Sequence, residues 1–134
     1  MKRLASADVA PTGPNYTQAI ETAGFTLTAD EPLAAGGQNA GPGPYNLLLA
    51  GLGACTAITL KMYADRKGWQ VGALKVALTL HKDDDGATHI ARRLSSDAQL
   101  DAAQWDKLLE IAGKTPVTRT LAAGTAISTT REGQ

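Results

Sequence analysis

The chain has 134 residues and a mass of 13.9 kDa, the size of one domain, so we predict a single domain over residues 1–134. Thirteen Lys and Arg residues balance thirteen Asp and Glu residues. Without net charge there is no long-range attraction for nucleic acid or for an anionic membrane surface, and we expect neither as a partner. The single cysteine excludes an intramolecular disulfide and a cysteine-rich metal site, and we expect no metal and no cofactor. The first residues lack an apolar secretion segment, which favours a cytoplasmic location.

The first third of the sequence has the pattern of strands joined by turns. Apolar and polar residues alternate over residues 16–22 and again over residues 25–29, with Ala23-Gly24 between them. This pattern predicts a β-hairpin. The segment Asp30-Glu31-Pro32 ends the second strand, and residues 34–44 contain four glycines and two prolines. That composition favours a long loop, because it supports neither a strand nor a helix.

A long helix is predicted over residues 45–67. Pro44 suits a first helical turn, and Gly68 suits the left-handed position that ends a helix. Residues 47–60 include no charged side chain, and apolar residues are distributed all the way round, which is typical of a helix buried on most of its faces. These fourteen uncharged residues are fewer than the roughly 20 needed to span a bilayer, so we predict a central core helix and not a membrane span.

The remaining sequence predicts a second hairpin, a helix and a strand. Residues 74–80 and 90–94 alternate in polarity on either side of an acidic turn. Asp101 and Gln104 form a capping-box pattern that begins a helix. Gly113 and Pro116 end it, and residues 126–130 favour a short terminal strand. The apolar face of this helix is predicted to consist of Trp105, Leu108, Leu109 and Ala112.

Few side chains offer chemistry. Cys55 lies in the middle of the long helix, where it is either a small packing residue or a nucleophile. Because it is several turns from the helix N-terminus, activation of the thiol would require a cation from another element. His81 and His89 flank the second hairpin turn, but without a third ligand they are better interpreted as solvated histidines than as a metal site. The core is predicted to be rich in small apolar residues, which favours an oligomer that shares its core.

A group of short segments resembles one known family. The segments are Asp30-Glu31-Pro32, Gly41-Pro42-Gly43-Pro44-Tyr45, Leu52-Gly53-Ala54-Cys55-Thr56-Ala57, Ala64-Asp65-Arg66-Lys67-Gly68-Trp69 and Thr115-Pro116-Val117-Thr118-Arg119-Thr120-Leu121. Together they resemble the OsmC/Ohr family of osmotically induced and organic hydroperoxide resistance proteins. The resemblance implies an α/β (α+β) fold in which a long buried central helix is wrapped by curved antiparallel sheets. It also implies that two subunits intertwine as a homodimer.

The resemblance further implies a thiol peroxidase. In the family, a cysteine on the central helix attacks an organic hydroperoxide, a second cysteine forms a disulfide with it, and a dithiol reduces that disulfide. Cys55 matches the first cysteine, whereas Thr115 stands at the position of the second. Asn46 stands at the position of the family's glutamate, and the hairpin over residues 16–29 contains no arginine. The resemblance also implies that the segment after Thr115 lies near the reactive cysteine. Arg119, four residues after Thr115, is our candidate for the activating cation, able to stabilise the thiolate and to orient a peroxide oxygen.

Two hypotheses from different classes follow. The first is a one-cysteine, peroxiredoxin-type peroxidase of the oxidative and osmotic stress response, in which Cys55 reduces organic hydroperoxides and an external thiol or dithiol restores it. The second is a non-catalytic protein that binds a small apolar ligand on the same dimeric fold, with Cys55 at the floor of the pocket. A third interpretation is a purely structural role. Oxidation of Cys55 by an organic peroxide distinguishes the first hypothesis from the other two.

Overall fold

The computed structural model describes residues 1–133, in which helices combine with antiparallel sheets, so the predicted α/β (α+β) class is confirmed. The chain forms two compact units, residues 1–48 and the residues from Leu49 onward, and the single domain over 1–134 stays a prediction. The elements in chain order are β1 (Asp8–Pro11), β2 (Gln18–Thr22), β3 (Phe25–Ala29), a 3₁₀ turn (Leu33–Ala35), α1 (Pro44–Lys67), β4 (Lys75–Lys82), β5 (Thr88–Ser95), α2 (Ala102–Ala112) and α3 (Pro116–Ala123).

The first unit contains a three-stranded antiparallel sheet in the order β1-β2-β3. The predicted hairpin is confirmed as β2 and β3, which pair from Gln18↔Ala29 to Thr22↔Phe25 around the turn. Strand β1 pairs with the other side of β2 and was not predicted. All four of its residues are exposed, so the sequence carries no apolar alternation to mark it.

Asp30 organises the long loop that follows β3. Its buried carboxylate accepts hydrogen bonds from Thr17 Oγ1 at 3.0 Å and from the backbone N–H groups of Glu31, Gln38 and Ala40 at 2.7, 3.1 and 3.1 Å. Burial acts to raise the pKa of Asp30, but the hydrogen bonds, led by that from Ala40, outweigh it and hold the pKa below its ordinary value. The predicted loop is confirmed, with one 3₁₀ turn at its start, and it folds around this carboxylate.

Helix α1 has the predicted bounds but not the predicted burial. Gly68 follows its last residue at φ +70°, and the N–H of Trp69 bonds the carbonyl of Ala64 across the helix end. Its buried residues share one stripe, here called the inner stripe: Leu52, Gly53, Thr56, Leu60 and Ala64. Burial on most faces is therefore wrong for the single chain. An apolar composition all round the helix does not reveal which faces this chain itself covers.

By length and composition, α1 is also the one helix among residues 1–133 that could cross a membrane. This is weak evidence, because the core helix of a soluble protein passes the same test. Only 28% of its most apolar window is buried within the chain. Most of the apolar surface of α1 is therefore not covered by residues 1–133.

The second predicted hairpin is confirmed as β4 and β5, paired from Lys75↔Ser95 to Lys82↔Thr88. Alternate residues along both strands are half-buried, Leu78 and Arg92 among them, and these two are direct partners across the strands. The half-buried side of β4 approaches α1 closely at Gly53. A Cβ atom added to that glycine would lie 2.8 Å from Leu78 Cδ1, so a larger residue does not fit there without rearrangement.

Helix α2 completes the core of the second unit. The Asp101 side chain accepts from the Gln104 N–H at 2.7 Å and the Gln104 side chain accepts from the Asp101 N–H at 3.0 Å, which confirms the predicted capping box. The prediction for Leu109 is wrong, because this side chain is 56% exposed and half-buried Ile111 packs against the core instead. The buried core cluster consists of Leu60, Ala64, Val71, Leu108 and Ala112.

The C-terminal part differs from the prediction. Pro116 does not simply follow a helix end but occupies the first turn of a further helix, α3, for which its fixed φ is suited. The predicted strand over residues 126–130 is wrong, because these residues form neither helix nor strand. Alternation favours a strand only where a neighbouring strand supplies the hydrogen bonds, and no strand within residues 1–133 pairs with this segment.

Candidate functional site

Cys55 lies in the middle of α1 on the side away from the inner stripe. The thiol is free and half-buried. Residues three, four and seven positions apart share a helix face, so Cys55 shares one with Gly51, Ile58 and Met62, here called with it the outer stripe. Ile58 and Met62 are 55% and 54% exposed. Apart from its chain neighbours and the nearby helix backbone, a Cβ atom added at Gly51 would find no atom of residues 1–133 within 4 Å, so the thiol lies beside open space on an apolar surface.

The residue after Cys55 belongs to a buried polar network. Thr56 is fully buried, and its hydroxyl donates to the Leu52 carbonyl at 2.7 Å and accepts from Arg92 Nη1 at 2.8 Å. The same Nη1 donates to Thr118 Oγ1 at 2.8 Å, and Nη2 donates to the Ala112 carbonyl at 2.9 Å. Hydrogen bonds from a charged donor are stronger than neutral ones. One guanidinium therefore joins α1, β5, α3 and the end of α2.

Arg92 has no carboxylate partner within residues 1–133. The ion pairs in that range are Lys61–Asp65, Lys107–Glu110 and Lys114–Glu110. The Nε–H of Arg92 donates to no protein acceptor within that range, and the residue is half-buried. Arg92 therefore keeps an uncompensated positive charge and a donor that a ligand can use.

Sequence reasoning assigned no role to Arg92, although a signal was present. Along β5 the side chains of Ile90 and Leu94 are half-buried, and strand alternation places Arg92 with them, whereas Arg93 is exposed. A charged residue on the apolar side of an alternating strand must find polar partners when it is buried. That position marks Arg92 as different from its exposed neighbour.

A cavity of about 580 Å³ adjoins this network. Arg92 and Thr118 supply polar groups to its wall, and the apolar side chains of Leu52, Ile90 and Leu121 supply the rest. Thr88, His89 and Ala122, which are exposed, form its rim. Cys55 is not a lining residue, although Leu52 lies one helical turn before it. The cavity and the thiol are therefore neighbouring but separate features.

The other three predicted site residues, Thr115, Asn46 and Arg119, differ in burial and in hydrogen bonding. Thr115 is buried, and its hydroxyl lies 2.6 Å from that of Thr118, so it joins the Arg92 network. Asn46 accepts a hydrogen bond from the Gly43 N–H at 3.1 Å and caps the first turn of α1. Arg119 is exposed and forms no ion pair within residues 1–133. The catalytic roles of these residues stay predictions.

The two histidines are direct cross-strand partners, and both are exposed. No group of three or more His, Cys, Asp and Glu residues within residues 1–133 could hold a metal ion.

Most of the chain matches one known protein family. Residues 36–130 match the model of the family described as OsmC-like protein, so the chain belongs to the OsmC-like family. The resemblance noted from the sequence is thereby confirmed. No curated protein matches the chain.

Solved structures share the fold at low sequence identity. The OsmC-like protein of Mycoplasma pneumoniae is 20% identical over 91% of this chain and 89% of that chain, with a TM-score of 0.72. An organic hydroperoxide resistance protein, OsmC, of Legionella pneumophila is 17% identical over 90% and 91%, with a TM-score of 0.62. The organic hydroperoxide resistance protein OhrB of Bacillus subtilis is 24% identical over 87% and 90%, with a TM-score of 0.57. At these identities the likeness shows the fold alone.

Proposed function

We propose that this protein reduces organic hydroperoxides through Cys55 and depends on an external thiol to complete the cycle. The observation that carries the proposal is the position of the half-exposed thiol on the apolar outer stripe of α1. An apolar surface beside the sulfur favours an organic peroxide over hydrogen peroxide, because it binds the organic group. Membership of the OsmC-like family supports the proposal, as do fold relatives named organic hydroperoxide resistance proteins.

The first step oxidises the thiol by two electrons. The sulfur of the Cys55 thiolate attacks one peroxide oxygen, the O–O bond breaks, and the alkoxide takes up a proton and leaves as the alcohol. Cys55 becomes a sulfenic acid. The second step needs a thiol that this chain does not contain, because Thr115 stands where the family has its second cysteine and a hydroxyl does not form a disulfide.

An external thiol or dithiol therefore completes the reaction. Its sulfur attacks the sulfenic sulfur, water leaves, and a mixed disulfide forms. A second thiol attacks this disulfide, restores the Cys55 thiol and leaves the reductant as a disulfide. The peroxide has then been reduced to an alcohol and water, and two thiols have been oxidised.

Arg92 is proposed as a positioning residue for this chemistry. Its hydrogen bond to Thr56 fixes the turn of α1 that carries Cys55, and its charge is uncompensated. Arg119 remains the alternative source of a cation, as the family resemblance implies. The two arginines are distinguished by substituting each with Lys and measuring the rate of Cys55 oxidation. We expect Arg92→Lys to slow it, because Lys cannot reproduce the forked contacts to Thr56, Thr118 and Ala112.

Trapping the sulfenic acid tests the proposal. The purified protein is given a stoichiometric pulse of cumene hydroperoxide together with a sulfenic acid trap, and the intact mass is measured over time. One adduct is expected in the wild type and none in Cys55→Ser, and it should form faster than with hydrogen peroxide. A thiol that stays reduced for minutes contradicts the proposal. If an apolar ligand then raises the stability of the wild type and of Cys55→Ala equally, the protein is a binding protein.

We also propose that the protein is a cytoplasmic homodimer in which the outer stripe packs against a second copy. Its residues follow one another at intervals of four, three and four, the spacing of side chains that pack against another helix. Gly51, which has no side chain, would leave a gap in that contact next to Cys55, through which a peroxide reaches the sulfur.

The oligomeric state is measured by light scattering during size-exclusion chromatography. Ile58→Asp is expected to give a monomer, because a charge in an apolar contact is costly. Leu109→Asp is the matched control, since Leu109 is 56% exposed and Ile58 is 55% exposed. It should leave the dimer intact. A wild type that is monomeric at all concentrations contradicts the proposed dimer.

A further inference from the structure

We propose that the cavity beside Arg92 is a binding site for a monocarboxylate with a short apolar chain. This goes beyond the proposed peroxide reduction, because it requires no reaction at Cys55. The inference rests on the juxtaposition of an arginine without a counter-ion and apolar walls in one cavity.

The guanidinium is held in place before any ligand arrives. Three hydrogen bonds, to Thr56, Thr118 and the Ala112 carbonyl, fix its orientation, and all three acceptors are neutral. Its charge is therefore not neutralised by any carboxylate within residues 1–133, and its Nε–H donates to no acceptor in that range. A fixed donor loses little conformational entropy on binding, so such a site favours an anion.

The remaining lining selects the class of anion. The volume of about 580 Å³ lies within the range of ordinary small-molecule sites, roughly 300–1,000 Å³. Among residues 1–133, no Asp or Glu lines the cavity, and His89 at the rim adds another hydrogen-bonding group. A phosphate dianion would require a second fixed cation, whereas one arginine matches the single charge of a carboxylate. Leu52, Ile90 and Leu121 suit the apolar chain of the ligand.

Three probes of equal length test the chemistry. Hexanoate, hexanamide and hexylammonium are titrated into the wild-type protein by calorimetry. Hexanoate should bind about tenfold or more tightly than hexanamide, since only the carboxylate forms charge-assisted bonds with the guanidinium, and hexylammonium should bind weakest. Equal binding of hexanoate and hexanamide overturns the proposal.

Two kinds of variant locate the site. Arg92→Met should lose hexanoate binding, whereas Arg93→Met, which removes the same charge from the exposed neighbouring position on β5, should not. Because Arg92→Met also removes three hydrogen bonds, Ala122→Trp provides a second test that keeps Arg92 and fills the cavity from its exposed rim. It should also abolish binding. Unchanged binding in Ala122→Trp, or equal losses in Arg92→Met and Arg93→Met, overturns the proposal.

The variant Cys55→Ser distinguishes carboxylate binding in the cavity from the proposed peroxide reduction at Cys55. The variant should bind hexanoate as the wild type does, because Cys55 does not line the cavity. Loss of binding in Cys55→Ser contradicts a separate site, whereas failure of Cys55 to react with peroxide leaves the binding result unaffected.

Discussion

The inner and outer stripes of α1 are both rich in small and apolar residues, but the chain buries the inner stripe and leaves much of the outer stripe exposed. On the inner stripe, Leu60 is fully buried, and Gly53 lies against Leu78 of β4. On the outer stripe, Ile58 and Met62 are more than half exposed. Apart from its chain neighbours and the nearby helix backbone, no atom of residues 1–133 lies within 4 Å of a Cβ atom added at Gly51. Ile58 and Leu60 are only two positions apart in sequence, but the helix turns their side chains to opposite sides.

This difference separates two roles within one helix. The inner stripe contributes to the stability of the single chain, because its apolar area is removed from water by β4, β5 and α2. The outer stripe contributes little to that stability and is available for another partner. The half-buried thiol lies on this second side, so a substitution there is expected to change chemistry or association more than folding.

Truncating one large side chain on each stripe should give the largest difference in the free energy of unfolding. Leu60→Ala leaves a cavity in the core and should lower the free energy of unfolding by about 2–5 kcal/mol. Ile58→Ala removes a similar volume from an exposed position. Both effects are measured by urea denaturation at two protein concentrations. The Leu60→Ala effect should not change with concentration, whereas that of Ile58→Ala should be small in dilute protein and grow with concentration, since it acts through the proposed dimer. Equal effects in dilute protein would contradict the assignment of the two stripes.

Substituting the glycine on each stripe, Gly53 and Gly51, with Leu should give a smaller difference in the free energy of unfolding. Gly53→Leu places a side chain where Leu78 Cδ1 already lies 2.8 Å from the first added carbon, and it should lower the free energy of unfolding by about 1–3 kcal/mol. Gly51→Leu meets open space and replaces a poor helix former, so it should stabilise the monomer by up to about 1 kcal/mol. Thermal unfolding in dilute protein measures both. A Gly51→Leu variant as unstable as Gly53→Leu would show that the outer stripe is covered by the chain itself.

The sequence predicts the elements of this fold more completely than their burial. Both hairpins, the bounds of α1 and the capping box of α2 follow from local signals: alternation, Pro44, Gly68, and the pair Asp101 and Gln104. These signals act between residues close in sequence, so they can be read without the tertiary structure. The sequence does not predict the exposed strand β1 or helix α3. The first has no alternation, and Pro116, which suits the end of a helix, begins one in the structure.

The candidate site was only partly predictable. Cys55 was identified because it is the single cysteine, and family resemblance placed Thr115 at a position that the structure shows to be buried near Arg92. Strand alternation marks Arg92 as a charged residue on an apolar side but does not identify its partners, since Thr56 and Thr118 are 36 and 26 residues away in sequence and no local pattern joins them. Contacts of that kind depend on how the strands pack on the helix, which a single sequence does not specify.

The smallest contrast compares two threonines on α1, one inside the polar network and one outside it. Thr56→Val keeps the shape of the side chain but removes the hydroxyl that accepts from Arg92 Nη1 and donates to the Leu52 carbonyl, and it should lower the free energy of unfolding by about 1–2 kcal/mol. Thr59→Val, at a half-buried position on the next turn, should change it by no more than about 0.5 kcal/mol. Urea denaturation in dilute protein resolves the two. If Thr56→Val is as mild as Thr59→Val, Arg92 is held well enough by Thr118 and Ala112 alone, and its link to the turn that carries Cys55 is not what positions the thiol.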